Sequence, residues 1–287
     1  MPDLSFIKMH GLGNDFVVVD SRRSSISIDG ATARALADRH TGIGCDQVLV
    51  IEPLRNDLAD VFLRIHNPDG GEAEACGNGT RCVASLIMDE TGKDETVIET
   101  VVGLLDATRG DDGLVIVDMG LAAFDWRDIP LSAAVDTLHL DVAVGLLRDP
   151  VGVNVGNPHA VFFVDDAEAV PLADLGPEIE RHSLFPEFTN VEAAQILAPD
   201  LIRMRVWERG AGITRACGSG ACATLVAAHR RGLTGRNAEV IADGGRLGIE
   251  WLKDDHVLMS GPVATSFSGT VDVAGLAGAG LAGAELA

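Results

Sequence analysis

Residues 75–82 read Ala-Cys-Gly-Asn-Gly-Thr-Arg-Cys, and residues 216–222 read Ala-Cys-Gly-Ser-Gly-Ala-Cys. The second stretch repeats the first 141 positions along, and the match runs backwards through the flanks: Arg64 falls on Arg205, Ile65 on Val206 and Gly71 on Gly212. Each copy is a Cys-Gly-polar-Gly turn that runs straight into an apolar segment with helical spacing. After Gly79, residues Cys82, Val83, Leu86 and Ile87 share one face of a helix that closes near Gly92. After Gly220 a second helix is expected through Arg231, with Gly232 as its stop. Twice, then, the chain sets a thiol at the mouth of a helix.

A helix N-terminus offers N–H groups that have no partner within the helix and a partial positive charge, so it holds a carboxylate and favours a thiolate. It is therefore expected to lower the pKa of Cys76 and of Cys217, making each thiol usable as a base near neutrality. Gly77, Gly79, Gly218 and Gly220 are expected to let the backbone come close to a ligand. If both helix mouths converge on one cleft, a bound carboxylate would have Cys76 and Cys217 on opposite faces of its α-carbon. That arrangement suits inversion at a carbon bearing hydrogen. One thiolate removes the proton, the opposing thiol delivers another, and the helix ends stabilise the charge that moves onto the carboxylate.

No cofactor and no metal enter this scheme. A pyridoxal cofactor would need a Schiff-base lysine, and none of Lys8, Lys93 and Lys253 lies near either motif. Cys82 and Cys222 read as core, and Cys45, which has no duplicated context, as structural. The five cysteines form no CxxC pair and have no histidines at zinc spacing, so reduced thiols are expected.

With 287 residues, 47% hydrophobic and 23% charged, the chain reads as globular with two domains. No run of about 18 apolar residues and no signal-peptide pattern is present, so a soluble, cytoplasmic protein is expected. A net charge of −21 argues against nucleic acid or an anionic membrane as partner, because both call for a basic face. Acid excess with only three lysines also fits a salt-loaded cytoplasm, a hypothesis that a melting temperature insensitive to molar salt would contradict.

Along the chain, Phe6–Asp20 reads as strand, Gly-rich turn and strand, with Asn14 in the turn. Asp29 is the expected N-cap of a helix through about His40, and Val48–Glu52 and Val61–His66 are strands. Asn67–Gly71 is a turn, and Thr96–Met119 holds short strands broken by Gly103, Gly110 and Gly113. Residues 121–150 carry mixed signals. Gly156-Asn157-Pro158-His159 and its following strand repeat Gly13-Asn14-Asp15, 143 positions on. Asn190–Leu197 echoes Cys45–Glu52 more loosely, and Met204–Trp207 is a strand feeding Glu208-Arg209-Gly210. The tail, Val273–Ala287, is expected to fray or pack as a weak surface helix. These repeats give an α+β fold of two domains related by a pseudo-two-fold axis. The expected divisions are 1–120 plus 265–287 for the half with Cys76, and 121–264 for the half with Cys217.

At HGLGNDFVVVD (10–20), NPDGGEAEACGNGTRC (67–82), GNPHAVFFVD (156–165), Asn190-Val191-Glu192 and WERGAGITRACGSGACA (207–223), the chain resembles the diaminopimelate epimerase family. The resemblance implies interconversion of L,L- and meso-2,6-diaminoheptanedioate, without a cofactor, on two β-barrel-like halves each wrapped around a central helix. It implies Cys76 as proton donor and Cys217 as proton acceptor, with the α-carboxylate on the N–H groups of Gly77, Asn78, Gly218 and Ser219. It places the distal amino-acid end at Asn67, Asn157, Asn190, Glu208 and Arg209, with Asn14 and Gln47 lining the site. His159 and Glu208 match positions that adjust the cysteine pKa values, and the family commonly forms homodimers. His66 stands where the family often has Phe, and Phe267 is the counterpart of a tyrosine linked with dimer contacts.

Two other readings are weighed beside this one. Proline and hydroxyproline racemases also use two cysteines, but their first motif usually reads Cys-Gly-His-Gly, whereas Asn78 takes that place here. A thiol redox switch or small-ligand binding protein using Cys76 and Cys217 is the alternative outside enzymes.

Overall fold

A computed structural model describes residues 3–23, 27–74, 76–273 and 275–276. Ala75 of the first motif therefore lies outside the described residues, as does nearly all of the Gly/Ala/Leu tail. The chain divides into two compact units, Met1–Val117 with Pro262–Ala287, and Asp118–Gly261.

The first unit opens with the antiparallel pair β1 (Leu4–Gly11) and β2 (Asn14–Asp20), followed by α1 (Gly30–Ala37). Then come β3 (Gln47–Glu52), β4 (Val61–His66), β5 (Glu72–Ala73), α2 (Gly77–Thr91), β6 (Glu95–Thr100) and β7 (Gly103–Arg109). Strand β8 (Val115–Leu121) leads on to the second unit, which holds the small hairpin β9 (Ala143–Val144) and β10 (Leu147–Arg148). It continues with β11 (Val151–Asn154), β12 (Pro158–Phe163), α3 (Leu172–Glu180), β13 (Asn190–Ala198), β14 (Leu201–Glu208) and β15 (Gly212–Ile213). Helix α4 (Gly218–Arg230), β16 (Asn237–Ala242), β17 (Gly245–Trp251) and β18 (His256–Gly261) complete it. Strand β19 (Ala264–Val271) returns to the first unit and pairs with β1.

Both units follow one plan. In the first, β1/β2 is antiparallel, β2/β3 parallel, β3/β4 antiparallel, β4/β6 parallel and β6/β7 antiparallel. In the second, β11/β12, β12/β13, β13/β14, β14/β16 and β16/β17 repeat that sequence of directions. Helix α2 packs on β1, β2, β6 and β7, strands from opposite ends of its sheet order, so the sheet curls round it. Helix α4 is held likewise by β11 through β14 and β16 through β18. Each motif helix is thus the core of its unit, which explains why its apolar positions are continuous: Cys222, Ala223, Leu225, Val226 and Ala227 are all 0% exposed. Burying each such Leu or Val side chain contributes about 1.5–3 kcal/mol.

Local chemistry refines the expected boundaries. Asn14 is not a turn residue but opens β2 opposite Gly11, because the turn is the tight pair Leu12-Gly13, both at positive φ (58° and 82°). Such a pair matches the right-handed twist of the strands it joins. Helix α1 has Asp29 as its N-cap but stops at Ala37, not His40. The Asp38 carboxylate takes the N–H groups of His40 (2.8 Å) and Thr41 (2.7 Å), and so ends the helix with a local turn. Helix α2 closes on Gly92 at φ 68°, whose N–H reaches the Met88 carbonyl. On its inner face Cys82, Val83 and Ile87 are buried, whereas Leu86 is only half-buried and Met88 takes the core position instead.

The loose echo of Cys45–Glu52 in Asn190–Leu197 holds, but two residues out of step. Phe16 pairs with Gln47, and His159 pairs with Asn190, so the spacing of 143 relates both strands of each parallel pair. Helix α3, absent from the sequence reading, lies across β13 and β14. Residues 121–150, which showed no pattern, supply Ile129, Leu131, Leu140 and Val142 to a core shared with Phe162, Val170 and Phe185.

Candidate active site

In the first unit Cys76 is the N-cap of α2. Its backbone is extended (φ −149°, ψ 102°), and its sulfur accepts the N–H of Gly79 at 3.4 Å. The thiol takes the place that a serine or aspartate oxygen holds in most helices. Of the first-turn N–H groups, Thr80 already bonds the Cys76 carbonyl, and helix geometry gives Gly77 and Asn78 no carbonyl within the helix. No acidic side chain stands in this first turn to offset the helix dipole.

Asn14 sits over this mouth. Its Oδ1 accepts from Asn78 Nδ2 at 3.1 Å and lies 3.9 Å from the Cys76 sulfur, while its Nδ2 donates to Asp46 at 2.9 Å. Asp46 and Asp15 are clamped together by Arg39 at 2.6 Å each. Lys8, 7% exposed, binds Asp15 and the Gly44 carbonyl from the other side. Burial opposes the charge on Asp15, but the Arg39 and Lys8 bonds outweigh it and bring its carboxyl down to about 2. Arg81, 0% exposed, donates to Asn78 Oδ1 at 2.8 Å, fixing that amide from within the helix. Gln47 donates to Asn67 Oδ1 at 3.0 Å, and the Gln47 Oε1 atom is buried without a protein partner. Five residues of this cluster were given no role from sequence: Lys8, Asp15, Arg39, Asp46 and Arg81.

In the second unit Cys217 is likewise an N-cap, with extended backbone and its sulfur accepting the Gly220 N–H at 3.4 Å. Ser219 Oγ lies 3.5 Å from the same sulfur, and Ala221 N–H bonds the Cys217 carbonyl, so Gly218 and Ser219 hold the places of Gly77 and Asn78. The surroundings, however, are ionisable. Beneath the mouth a fully buried pair joins β12 to β13: His159 Nδ1 lies 2.7 Å from Glu192 Oε1, and His159 Nε2 lies 2.8 Å from Asn157 Oδ1. Burial raises the Glu192 carboxyl, with His159 opposing the shift. On the far side Thr214 Oγ1 donates to Glu208.

One expectation fails here. Burial pushes the Cys217 thiol well above its usual range, and the carboxylates of Glu208 and Glu192 push it further, overriding Ser219 and the Gly220 N–H. The helix end alone does not make Cys217 a ready base. Gly79 and Gly220, moreover, are needed for packing. A Cβ on Gly79 would stand 3.1 Å from Leu49 and 3.5 Å from the Cys76 sulfur; on Gly220 it would stand 2.9 Å from Glu192 Oε1 and 3.3 Å from the Cys217 sulfur. The other cysteines behave as core groups, burial raising Cys45 to about 11 and Cys82 to about 12.

Asn190, 3% exposed, bonds the Pro158 carbonyl through Nδ2 (2.9 Å) and takes the Arg209 N–H on Oδ1 (2.9 Å). Arg209 Nη1 donates to the Glu187 carbonyl at 3.1 Å. Glu180 of α3, 5% exposed, accepts from the Trp207 indole (2.6 Å) and from Gly210 N–H (3.1 Å), gripping the Glu208–Arg209 turn on both flanks. Sequence reading gave no role to Glu180 or to Glu192, a residue type that is usually exposed.

The family model of diaminopimelate epimerase matches residues 6–124 and 151–265. The chain is 65% identical to the diaminopimelate epimerase of Rhodospirillum centenum over 264 residues, 92% of this chain and 91% of that one. The chain belongs to the diaminopimelate epimerase family. A second diaminopimelate epimerase, from Acidiphilium cryptum, is 54% identical over 95% of this chain and 98% of its own. Among solved structures, a phenazine biosynthesis protein of Bacillus anthracis superposes with TM-score 0.68 at 15% identity, covering 95% of this chain and all of that one (100%). A hydroxyproline epimerase of Agrobacterium vitis gives 0.66 at 17%, covering 94% and 91%. These two share the diaminopimelate epimerase-like α+β fold. Among the described residues no helix is long and apolar enough to cross a membrane.

Proposed function

We propose that the protein is an isomerase that interconverts L,L- and meso-2,6-diaminoheptanedioate in lysine biosynthesis. The observation that carries this reading is the duplicated thiol N-cap, Cys76 on α2 and Cys217 on α4, in a chain of this family. One thiolate takes the α-proton, the carboxylate absorbs the charge with N–H groups of Gly77, Asn78, Gly218 and Ser219 as donors, and the other thiol returns a proton to the opposite face. After one turnover the two sulfurs have exchanged protonation states and reset through solvent. Cys76 is the donor and Cys217 the acceptor by family convention. Asn67, Asn157, Asn190, Glu208 and Arg209 take the distal amino-acid end, with Asn14 and Gln47 along the site.

His159 and Glu208 tune the thiols. An ammonium accepted by Glu208 would offset the negative charge that Glu208 sets against a Cys217 thiolate, so substrate binding favours the base. The two compact units are proposed as the two domains of this enzyme. A cytoplasmic location and a homodimer belong to the same proposal. Phe267, 51% exposed and edge-on to Phe6 at 5.9 Å, leaves an aromatic on the open face of β19 where the family places dimer contacts.

Deuterium uptake at the α-carbon in D2O under reducing conditions tests the reading. Exchange into L,L-diaminopimelate supports it. Exchange into proline alone would favour the racemase instead, and no exchange into either would sink the enzyme assignment.

A further inference from the structure

The two thiols stand on one frame over different floors. With the strand spacing of 143, Phe16 and Leu49 of the first unit are the counterparts of His159 and Glu192 of the second. The glycines confirm the equivalence: the position under Gly79 is the Leu49 side chain, and the position under Gly220 is the Glu192 carboxyl. Glu192 Oε1 and the Cys217 sulfur flank the space that a Gly220 methyl would fill. The helices differ in the same sense. Arg81, a buried cation in α2, has Cys222 as its counterpart in α4.

We propose that Glu192, held in place by His159, is a positioning residue that makes Cys217 the unlike member of the thiol pair. This rests on the reading of Cys76 and Cys217 as the acid/base pair and deepens it. With the Asn157 carbonyl taking the Nε2 proton, the 2.7 Å contact between Nδ1 and Glu192 holds one further proton. The pair is neutral whichever atom carries that proton, but its oxygen end faces the thiol. Glu192 thus fixes the ring plane of His159, and its oxygen opposes negative charge on Cys217. The charged and titratable groups facing Cys217 are Glu192 from β13, with His159 behind it on β12, and Glu208 from β14; the Ser219 hydroxyl comes from α4 itself. Glu192 Oε2 is buried without a protein partner, so the carboxyl gains nothing from a second hydrogen bond to offset its desolvation. In the first unit the equivalent place is filled by the buried Leu49 side chain, which carries no such desolvation cost.

The test is a substrate-free titration of the two thiols. Wild type, Glu192→Gln and the double variant His159→Phe/Glu192→Leu are alkylated with iodoacetamide across the pH range, and each cysteine is followed by peptide mass spectrometry. The double variant installs the pair that already packs in the other unit, so it carries the test if Glu192→Gln does not fold. In a folded variant the Cys217 midpoint should fall by about one pH unit, roughly tenfold in thiolate fraction, while Cys76 keeps its own. An unchanged Cys217 midpoint in the folded variants, or an equal shift of both thiols, would overturn the proposal. Because no substrate is present, a wild-type protein inactive on diaminopimelate would sink the proposed function without touching this result.

Discussion

Asn190 Oδ1 accepts the backbone N–H of Arg209 at 2.9 Å, and the same amide donates to the Pro158 carbonyl at 2.9 Å. One buried side chain on β13 therefore ties together the turn bearing Asn157 and the turn bearing Glu208 and Arg209. Asn190→Ala leaves an N–H and a carbonyl unpaired, at a cost of about 1–3 kcal/mol. Thermal melting should show that loss, and initial rates should show KM rising as the Arg209 turn loosens. A variant with wild-type melting and KM would remove Asn190 from the anchor.

Gly176 in α3 lies flat on Trp207, and a Cβ there would come within 2.6 Å of the indole Cγ. The Trp207 ring is also held by Glu180, so it has little freedom to retreat. Gly176→Ala should destabilise by about 1–3 kcal/mol through overpacking, despite alanine's better helix propensity. Chemical denaturation reads the result, and a neutral or stabilised variant would show that α3 slides to make room.

Serine caps helices better than alanine, and in Cys76→Ser and Cys217→Ser an oxygen takes over the N–H of Gly79 or Gly220. Each serine variant should melt about 0.5–2 kcal/mol above the matching alanine variant while remaining inactive, since a hydroxyl is a far weaker acid than a thiol. Equal melting of serine and alanine variants would deny the capping role.

Asp15 couples stability to acid. Its folded-state carboxyl lies at about 2 against an ordinary 3.8, so the folded state binds its proton later than the unfolded chain does. The stabilisation is full above the unfolded value and is lost as pH falls from 3.8 towards about 2. Asp15→Asn should flatten that part of the curve of melting temperature against pH. An unchanged acid limb would place the sensitivity elsewhere.

Much of this was legible because the repeat is written in residues with special backbone or chemical demands. The Cys-Gly-polar-Gly turns, the Asp29 cap and Gly92 each announce a helix end by local chemistry. Helix α3 left no such signal: Pro177 lies inside it, and Pro171 caps it without a side-chain hydrogen bond. The tertiary contacts of Gly176 and Glu180 with Trp207 hold it instead, and those join residues far apart in sequence. The Glu192–His159 pair was hidden for a related reason. A glutamate in a strand reads as solvent-facing until the partner strand supplies the imidazole that makes its burial tolerable. The helix dipole at Cys217 was read correctly from the motif, but burial was not visible, and burial decides the direction of its shift.

The proposed mechanism requires both thiols in one proton exchange. The deciding measurement is epimerisation of L,L-diaminopimelate by Cys76→Ala and by Cys217→Ala, each shown to be folded. Each variant should lose epimerisation by at least about a thousandfold, the scale on which removing an essential acid or base acts. Full activity in either one would rule out the two-thiol exchange.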